Sequence, residues 1–236
     1  MCGFAAGRRP APIAPCRAAR PHRHLDRAPG KLSRVMSRKV LAYHVCFATY
    51  GFWLPNDPRG SNSTFVGAKH LRPFGPATKV HDRRSHAHDP HDAALRAAAK
   101  RALRYPPVEF NGVQARAVGR GFSRAVERTG CSIHACAVMP AHVHLVIARH
   151  RYDVEQLVRQ LKADATRQLI AENLHPLAEF ADPGAAPPTC WGRGCRKIFC
   201  FTAAHVADEI GYVRRNPTRS GLPEQTWSFV TPYPTP

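Results

Sequence analysis

The stretch from residue 138 to residue 147 constrains this chain more than any other, because it sets two histidines in a strand pattern. Val, Leu and Ile favour a pleated, half-buried surface, so the alternation that follows Pro140 predicts a strand. Side chains two residues apart share one face of a strand, so His142 and His144 are expected on the same side. Neutral imidazoles are common metal ligands, and this face could hold a divalent metal. The alternative is that both histidines belong to a solvated strand face.

The net charge indicates the class of partner. The chain has 35 Lys plus Arg against 16 Asp plus Glu, a formal charge of +19. Arginine forks suit phosphate oxygens, and neutralising phosphates releases counterions, so nucleic acid is the predicted partner and an anionic membrane surface the alternative. No apolar run approaches the roughly 18 residues of a membrane span, and the start lacks the apolar region of a secretory signal. We therefore predict a cytoplasmic protein without a membrane partner.

The cysteines and the glycine-rich turn suggest no further cofactor. Eight cysteines are present, but their spacing does not fit a zinc ribbon, so reduced thiols are expected. The turn at residues 190–197 matches neither a P-loop nor a dinucleotide fingerprint. Its basic side chains are instead predicted to approach DNA phosphates, and they are Arg193, Arg196 and Lys197.

Composition divides the chain into two parts. Residues 1–38 are basic and rich in Pro, Ala and Arg, with too little apolar surface to offset the entropy of ordering, so we predict a disordered segment. Either Met36 is the true start, or the segment is a basic arm that touches DNA. Residues 39–236 are predicted to form one domain.

Periodicity and punctuation predict alternating strands and helices in that domain. Strands are predicted at 40–50, 131–138, across the two histidines and at 198–201; helices are predicted at 91–104, 111–128, 153–173 and from Thr202 to about Arg215. Pro217 is expected to end the last helix, because the residue before a proline is pushed out of the helical region. Residues 61–90 have the composition of a long loop. Before it, Phe52 and Trp53 either fill the core or stack on an unpaired base.

Two residues of the last predicted helix could carry chemistry. Tyr212 and Asn216 are four residues apart and therefore share a helix face. A tyrosine that attacks a phosphodiester needs a nearby cation, because its phenol is mostly protonated at neutral pH. The Asn216 carbonyl oxygen could join the two histidines as a third ligand and leave positions open for phosphate. The alternative makes Tyr212 a core residue and Asn216 a helix stop.

Three stretches together resemble the IS200-like single-tyrosine transposases, particularly the branch of REP-associated tyrosine transposases. They are Thr49–Gly60 (TYGFWLPNDPRG), Val138–Val146 (VMPAHVHLV) and Tyr212–Pro217 (YVRRNP). The similarity keeps the order of the motifs from about Tyr43 to Phe229. One departure is Ala141, which stands where relatives often carry an acidic residue before the first histidine.

The resemblance implies roles for these residues. His142 and His144 correspond to the paired histidines of the HUH motif, Tyr212 to the nucleophile and Asn216 to the third ligand of a divalent metal, Mg²⁺ or Mn²⁺. It also implies an α+β fold, with a ferredoxin-like antiparallel sheet and helices packed on one face, in which the histidine strand is central. Arg215, beside Asn216, is predicted to contact DNA with the basic residues of the 190–197 turn.

The implied activity is that of a DNA transposase. Tyr212 would cleave single-stranded or hairpin DNA by metal-assisted transesterification, form a 5′-phosphotyrosine and release a 3′-hydroxyl that allows rejoining. A homodimer is compatible with this reading. Two alternatives remain: an HUH nicking protein of the replication-initiator or relaxase kind, and a non-catalytic module that binds single-stranded nucleic acid.

Overall fold

The computed structural model describes residues 39–60, 63–78, 86 and 88–234, all within the unit Arg38–Pro236. The predicted disordered segment, residues 1–38, lies outside the described residues, and its prediction stays untested. None of the helices in the described part of the chain combines the length and hydropathy that a membrane span requires.

A four-stranded antiparallel sheet forms the centre of the domain. Its strands are β1 (Ala42–Ala48), β2 (Ile133–Val138), β3 (His142–Ala148) and β4 (Arg196–Cys200), in the order β2-β3-β1-β4. All neighbouring strands are antiparallel, and β3 is one of the two central strands, as predicted. The edge strand β4 begins at Arg196, earlier than predicted, because that residue pairs with Cys46 of β1.

Two long helices cover one face of the sheet. They are α2 (Gly112–Thr129) and α3 (Val154–Ala171), and they contact each other along their length. A shorter helix, α1 (Ala93–Arg101), precedes them. The helices α2 and α3 pack on every second residue of the central strands, burying a core that includes Val45, Phe47, Leu145 and Ile147 of the sheet and Phe122, Leu157 and Leu161 of the helices. Burial of this apolar surface is the main term that holds the helices to the sheet.

The termini of α2 follow the sequence prediction. The Asn111 side chain accepts hydrogen bonds from the backbone N–H groups of Val113 and Gln114, which the first turn of a helix leaves unpaired. Gly130 ends the helix with φ +71°, a left-handed conformation that favours glycine. The order β1-α2-β2-β3-α3-β4 is the ferredoxin-like arrangement, so the predicted α+β fold is confirmed.

The last helix, α4 (Ala203–Arg219), lies on the opposite face of the sheet, so the expected single helical face applies only to α2 and α3. Its apolar side chains, Val206 and Val213, pack against Ala135, Ala137 and Val146. Small alanine side chains allow the helix to approach the strands closely. These strand residues alternate with those of the main core, so a second helix can pack here without disturbing the first face.

Pro217 does not end α4, which corrects the prediction. The helix continues through Pro217 to Arg219. Pro217 cannot donate to the Val213 carbonyl oxygen and its ring crowds that carbonyl, but the pyrrolidine ring is buried and the helix continues. Asn216 therefore keeps helical geometry and stays one turn from Tyr212.

Candidate functional site

Three histidines meet on the sheet face that α4 covers. Strand β3 directs His142 and His144 to this side, as the period of two predicts, and their ring centroids are 4.9 Å apart at 86°. His144 is 8% exposed, so it is not part of a solvated strand face. From the neighbouring strand β1, His44 brings a third ring to within 5.2 Å of His144.

Tyr212 of α4 lies over these rings. Its ring centroid is 5.6 Å from that of His144 and 5.5 Å from that of His44. The residue is 41% exposed, so it is not a core residue, although its ring contacts buried groups. A side chain in this position can meet a ligand from solvent while its ring stays beside the imidazoles.

Asn216 follows Tyr212 by one turn and is partly buried. Its Nδ2 atom is buried and has no hydrogen-bond partner. Within the described residues, no hydrogen bond or ring contact joins Asn216 to either predicted histidine ligand. The structure therefore brings His142, His144 and Tyr212 together and leaves Asn216 nearby with an unsatisfied amide.

Sequence reasoning missed two site residues, His44 and Glu209, and a third residue that supports them, His205. The Glu209 carboxylate accepts from His44 Nδ1 at 2.7 Å and from His205 Nε2 at 3.2 Å. On its other side, His44 Nε2 lies 2.9 Å from His144 Nδ1. His44 and Glu209 are only 5% and 6% exposed. One signal was available: residues 205, 209, 212 and 216 follow helical spacing and share one face of α4.

Burial keeps the two predicted ligand histidines neutral. Loss of hydration lowers the pKa of His142 to about 4, and the positive charge of Arg59 adds to this effect. Burial also lowers the pKa of His144 well below its ordinary value, with further contributions from His142, His44 and Arg196. An imidazole must be unprotonated to bind a metal, so both rings are in the required state at neutral pH.

The loop at residues 51–60 forms one wall of the site. Phe52 stacks on His142 with centroids 5.2 Å apart at 25°, and the Arg59 guanidinium lies 4.0 Å above the centre of the Phe52 ring. The buried Asp57 carboxylate accepts from Arg59 Nε at 2.9 Å and forms a second ion pair with Arg96. Phe52 therefore packs against a site residue. The sequence had left two roles open for it, filling the core and stacking on an unpaired base.

The predicted DNA-binding residues are divided between two faces. Arg196 pairs with Cys46 in the β1–β4 ladder and so shares the face of the histidines, whereas Lys197 pairs with Val45 and points to the opposite face. There it forms an ion pair with Glu155 of α3. Arg193, in the turn before β4, and Arg215, on α4, are both exposed.

A lysine of α3 stabilises the backbone of the turn that carries Arg193. Lys162 of α3 donates hydrogen bonds from Nζ to the carbonyl oxygens of Gly192 and Gly194, at 2.9 and 2.7 Å. Burial lowers the pKa of this lysine to about 8. The ammonium group thus fixes the backbone of the glycine-rich turn, and it leaves Arg193 directed to solvent.

The predicted ligands His142, His144 and Asn216 fit a divalent metal in part. Among the described residues, no group of three or more His, Cys, Asp and Glu could hold a metal ion. The predicted set has a different composition, two histidines and an asparagine. Buried atoms of this set lack partners, namely His142 Nδ1 and Asn216 Nδ2. Buried polar atoms are rarely left unpaired, and the unpaired nitrogen of a neutral His142 can accept a cation. The Asn216 Nδ2 atom is a donor, so the ligand atom of this residue would be its carbonyl oxygen.

A four-stranded antiparallel sheet with paired histidines under a tyrosine-bearing helix agrees with the arrangement that the motifs predicted. Residues 108–185 match the family described as "Transposase IS200 like". The matched segment contains His142 and His144 and ends before Tyr212. It confirms the resemblance to the IS200-like transposases.

Two solved structures are similar to the chain. One is a REP-associated tyrosine transposase bound to a REP hairpin, with 12% identity over 81% of this chain and 76% of the other, and a TM-score of 0.43. The second is a putative transposase from Deinococcus radiodurans R1, with 14% identity over 74% of this chain and 89% of the other, and a TM-score of 0.32. No curated protein matches the chain.

Proposed function

We propose that this protein is a tyrosine transposase that cleaves and rejoins single-stranded DNA through Tyr212. The observation that carries the proposal is the position of Tyr212, half exposed and with its ring 5.6 Å from that of the buried His144. A nucleophile must reach a large substrate from solvent, yet it must lie beside the groups that stabilise the phosphate charge. Tyr212 meets both requirements.

The proposed reaction is a transesterification. The Tyr212 phenol oxygen attacks a backbone phosphorus, the bond to the 3′-oxygen breaks, and a 5′-phosphotyrosine remains on the protein. The phenol proton passes to solvent, and the departing 3′-oxygen takes up a proton and leaves as a hydroxyl. Since one phosphate ester replaces another, a second 3′-hydroxyl can reverse the step and join a new strand without ATP.

We propose that His142, His144 and Asn216 hold the divalent cation, Mg²⁺ or Mn²⁺. When bound, such a cation supplies positive charge that polarises the phosphate. The two imidazoles are suited to this role because burial keeps them neutral and the sheet fixes their positions. Asn216 would offer the oxygen of an amide whose nitrogen is otherwise unsatisfied.

We propose single-stranded or hairpin DNA as the substrate, and Arg193, Arg196, Lys197 and Arg215 as phosphate contacts. The formal charge of +19 supports an anionic partner. Arg196 shares the face of the histidines, and Arg215 shares the helix of Tyr212. Lys197 should contribute least, because it would have to leave Glu155 first. A homodimer and a cytoplasmic location remain predictions.

The test is a covalent protein–DNA product. Labelled single-stranded oligonucleotides from the genomic flanks of the coding sequence are incubated with the full chain, with and without Mg²⁺ or Mn²⁺. We expect a metal-dependent adduct that survives denaturation and is attached through a 5′-phosphate. Tyr212→Phe removes only the phenol oxygen, so the adduct should disappear while DNA affinity changes little.

Matched variants and products separate the alternatives. Tyr43→Phe and Tyr50→Phe alter tyrosines of the β1 region and should retain the adduct. An adduct that persists in Tyr212→Phe would move the nucleophile elsewhere. An adduct that never rejoins to a second 3′-hydroxyl would favour a nicking protein, and DNA binding without any adduct would favour a binding module.

A further inference from the structure

We infer that Glu209 and His44 are positioning residues that fix the tautomer of His144, so that its Nε2 atom carries the lone pair. The inference rests on the proposed function for its purpose, because a ligand nitrogen needs that lone pair. It concerns two residues outside the predicted metal set, and it can be measured without metal or DNA.

The three side chains form one chain of buried hydrogen bonds. Glu209 Oε2 lies 2.7 Å from His44 Nδ1, and His44 Nε2 lies 2.9 Å from His144 Nδ1. All three residues are at most 8% exposed. Both distances are within the normal range for N–H···O and N–H···N bonds, so each contact requires one donor and one acceptor.

The carboxylate sets the direction of the chain when His44 is neutral. An ionised carboxylate only accepts, so His44 donates to it from Nδ1. The Nε2 atom of a neutral His44 is then an acceptor, and it can accept only if His144 donates from Nδ1, which leaves a lone pair on His144 Nε2. A His44 imidazolium would instead donate from Nε2 and leave the proton of a neutral His144 on its own Nε2.

A second contact lies on the other side of the ring. The Cys46 sulfur lies 3.9 Å from His144 Nε2, directly across the β1–β3 ladder. Burial raises the pKa of Cys46 to about 12, so this group is a thiol at neutral pH. A thiol is both a weak donor and a weak acceptor, so this contact fits a lone pair on Nε2 but does not select it.

Glu209 lies on α4, the helix that also carries Tyr212. Glu209 is three residues before Tyr212, on the same helix face, and His205 one turn earlier donates to its second oxygen. The helix that positions the proposed nucleophile thus also carries the group that orients the histidine. A displacement of α4 would disturb both.

The experiment is a ¹H–¹⁵N NMR measurement of histidine tautomers in the metal-free full chain, with His144 assigned by its loss in His144→Gln. We expect the proton of His144 on Nδ1. His44→Phe keeps ring volume but removes the acceptor, so His144 should move to the Nε2–H form that histidine prefers in water. Glu209→Gln offers either an oxygen or an NH₂ group to His44, so it should give a mixture of the two tautomers.

Mn²⁺ binding provides a second readout. We expect both variants to weaken Mn²⁺ binding by about 10- to 100-fold, the usual effect of losing a group that orients a ligand. His134→Gln is the matched control, because His134 of β2 is equally buried but donates to the Thr231 carbonyl oxygen, at the end of the strand away from the site. It should change neither His144 nor the affinity.

The outcomes distinguish this inference from the proposed function. A wild-type His144 protonated on Nε2, or a tautomer unchanged in both variants, would overturn the inference even if Tyr212 forms the DNA adduct. If His44→Phe fails to fold, Glu209→Gln and the wild-type spectrum still decide. Conversely, an adduct that does not depend on Tyr212 would overturn the function and leave the tautomer result intact.

Discussion

The imidazole of His144 is bounded at both nitrogens, by His44 at Nδ1 and by Cys46 at Nε2. The neighbouring His142 differs, because its Nδ1 is buried without a partner and its ring is held by stacking on Phe52. Two histidines on one strand face are thus held in different ways. Hydrogen bonds hold His144, and packing on Phe52 holds His142.

Burial of these neutral histidines predicts how stability depends on pH. An unfolded histidine titrates near pH 6.5, whereas the pKa of His142 in the fold is about 4. Between these values the unfolded chain binds more protons, so the free energy of unfolding falls as pH decreases from about 6.5 towards 4. The lowered pKa values of His144 and His175 have the same sign.

Urea unfolding at fixed ionic strength, measured across this window, checks the prediction. His142→Gln removes one of the titrating groups, so its stability should fall less steeply between pH 6.5 and 4. The paired carboxylates Asp57 and Asp164 have lowered pKa values, so their stabilisation is present above the ordinary pKa of about 3.8 and is lost as pH falls below it. A wild-type stability that stays constant between pH 6.5 and 4 would contradict the burial argument.

At the residue scale, the sequence predicted those site residues whose shared face follows from local spacing. His142 and His144 share a face because a strand has a period of two, and Tyr212 and Asn216 share a face because a helix repeats every 3.6 residues. His44 and Glu209 could not be found in this way. Their contact joins residues 165 positions apart and depends on the β1–β3 register and on the sheet face that α4 covers.

At the scale of elements, the contact between α2 and α3 depends on one glycine. A Cβ atom at Gly121 would lie 2.5 Å from the Ala165 Cα atom, which is backbone and cannot move aside alone. Gly121→Ala should therefore force the helices apart and destabilise the protein by about 1–3 kcal/mol, as overpacking usually does. Thermal and urea unfolding measure the change.

Gly112 provides the matched control in the same helix. A Cβ atom there would meet only the end of the Arg116 side chain at 3.8 Å. Gly112→Ala should be neutral or stabilise the protein by up to about 1 kcal/mol, because alanine restricts the unfolded chain. Equal effects of the two substitutions would show that helix propensity, and not the close approach of α2 to α3, determines the outcome.

The loop at residues 51–60 gives a second prediction at this scale. Asp57 is 1% exposed and is the common partner of Arg59 and Arg96. Asp57→Ala removes one side of a buried ion-pair group, so we expect a loss of about 3–5 kcal/mol in the free energy of unfolding. Arg120→Ala breaks an exposed pair with Glu172 and should cost at most about 1 kcal/mol. Similar losses in the two variants would contradict the difference expected between the buried Asp57 carboxylate and an exposed ion pair.

Element types were predictable where periodicity and caps agreed, as for α2 with Asn111 and Gly130 at its ends. The sheet face on which α4 packs was not predictable from sequence. The apolar stripe of a helix can pack on either side of a sheet unless other helices already cover one side. The end of α4 was predicted wrongly because proline disfavours a helical residue before it, whereas here the Pro217 ring is buried by tertiary packing and the helix continues to Arg219.

At the scale of the whole molecule, charge is the property that composition alone determines. A formal charge of +19 on 236 residues predicts strong attraction to any polyanion, but it does not say which face a DNA strand contacts. The β1–β4 register adds this information, because it assigns Arg196 to the face of the site and Lys197 to the other.

The salt dependence of DNA binding tests that assignment. Each phosphate contact on a single strand contributes about −0.7 to the slope of log affinity against log salt concentration. Arg196→Ala and Arg215→Ala should each make the slope of the full chain shallower by about 0.7, whereas Lys197→Ala should have a smaller effect because Glu155 already pairs with it. Fluorescence anisotropy with one labelled single strand, from about 50 to 200 mM salt, measures all four slopes. If Lys197→Ala changed the slope as much as Arg196→Ala, the strand would have to contact both faces of the sheet edge.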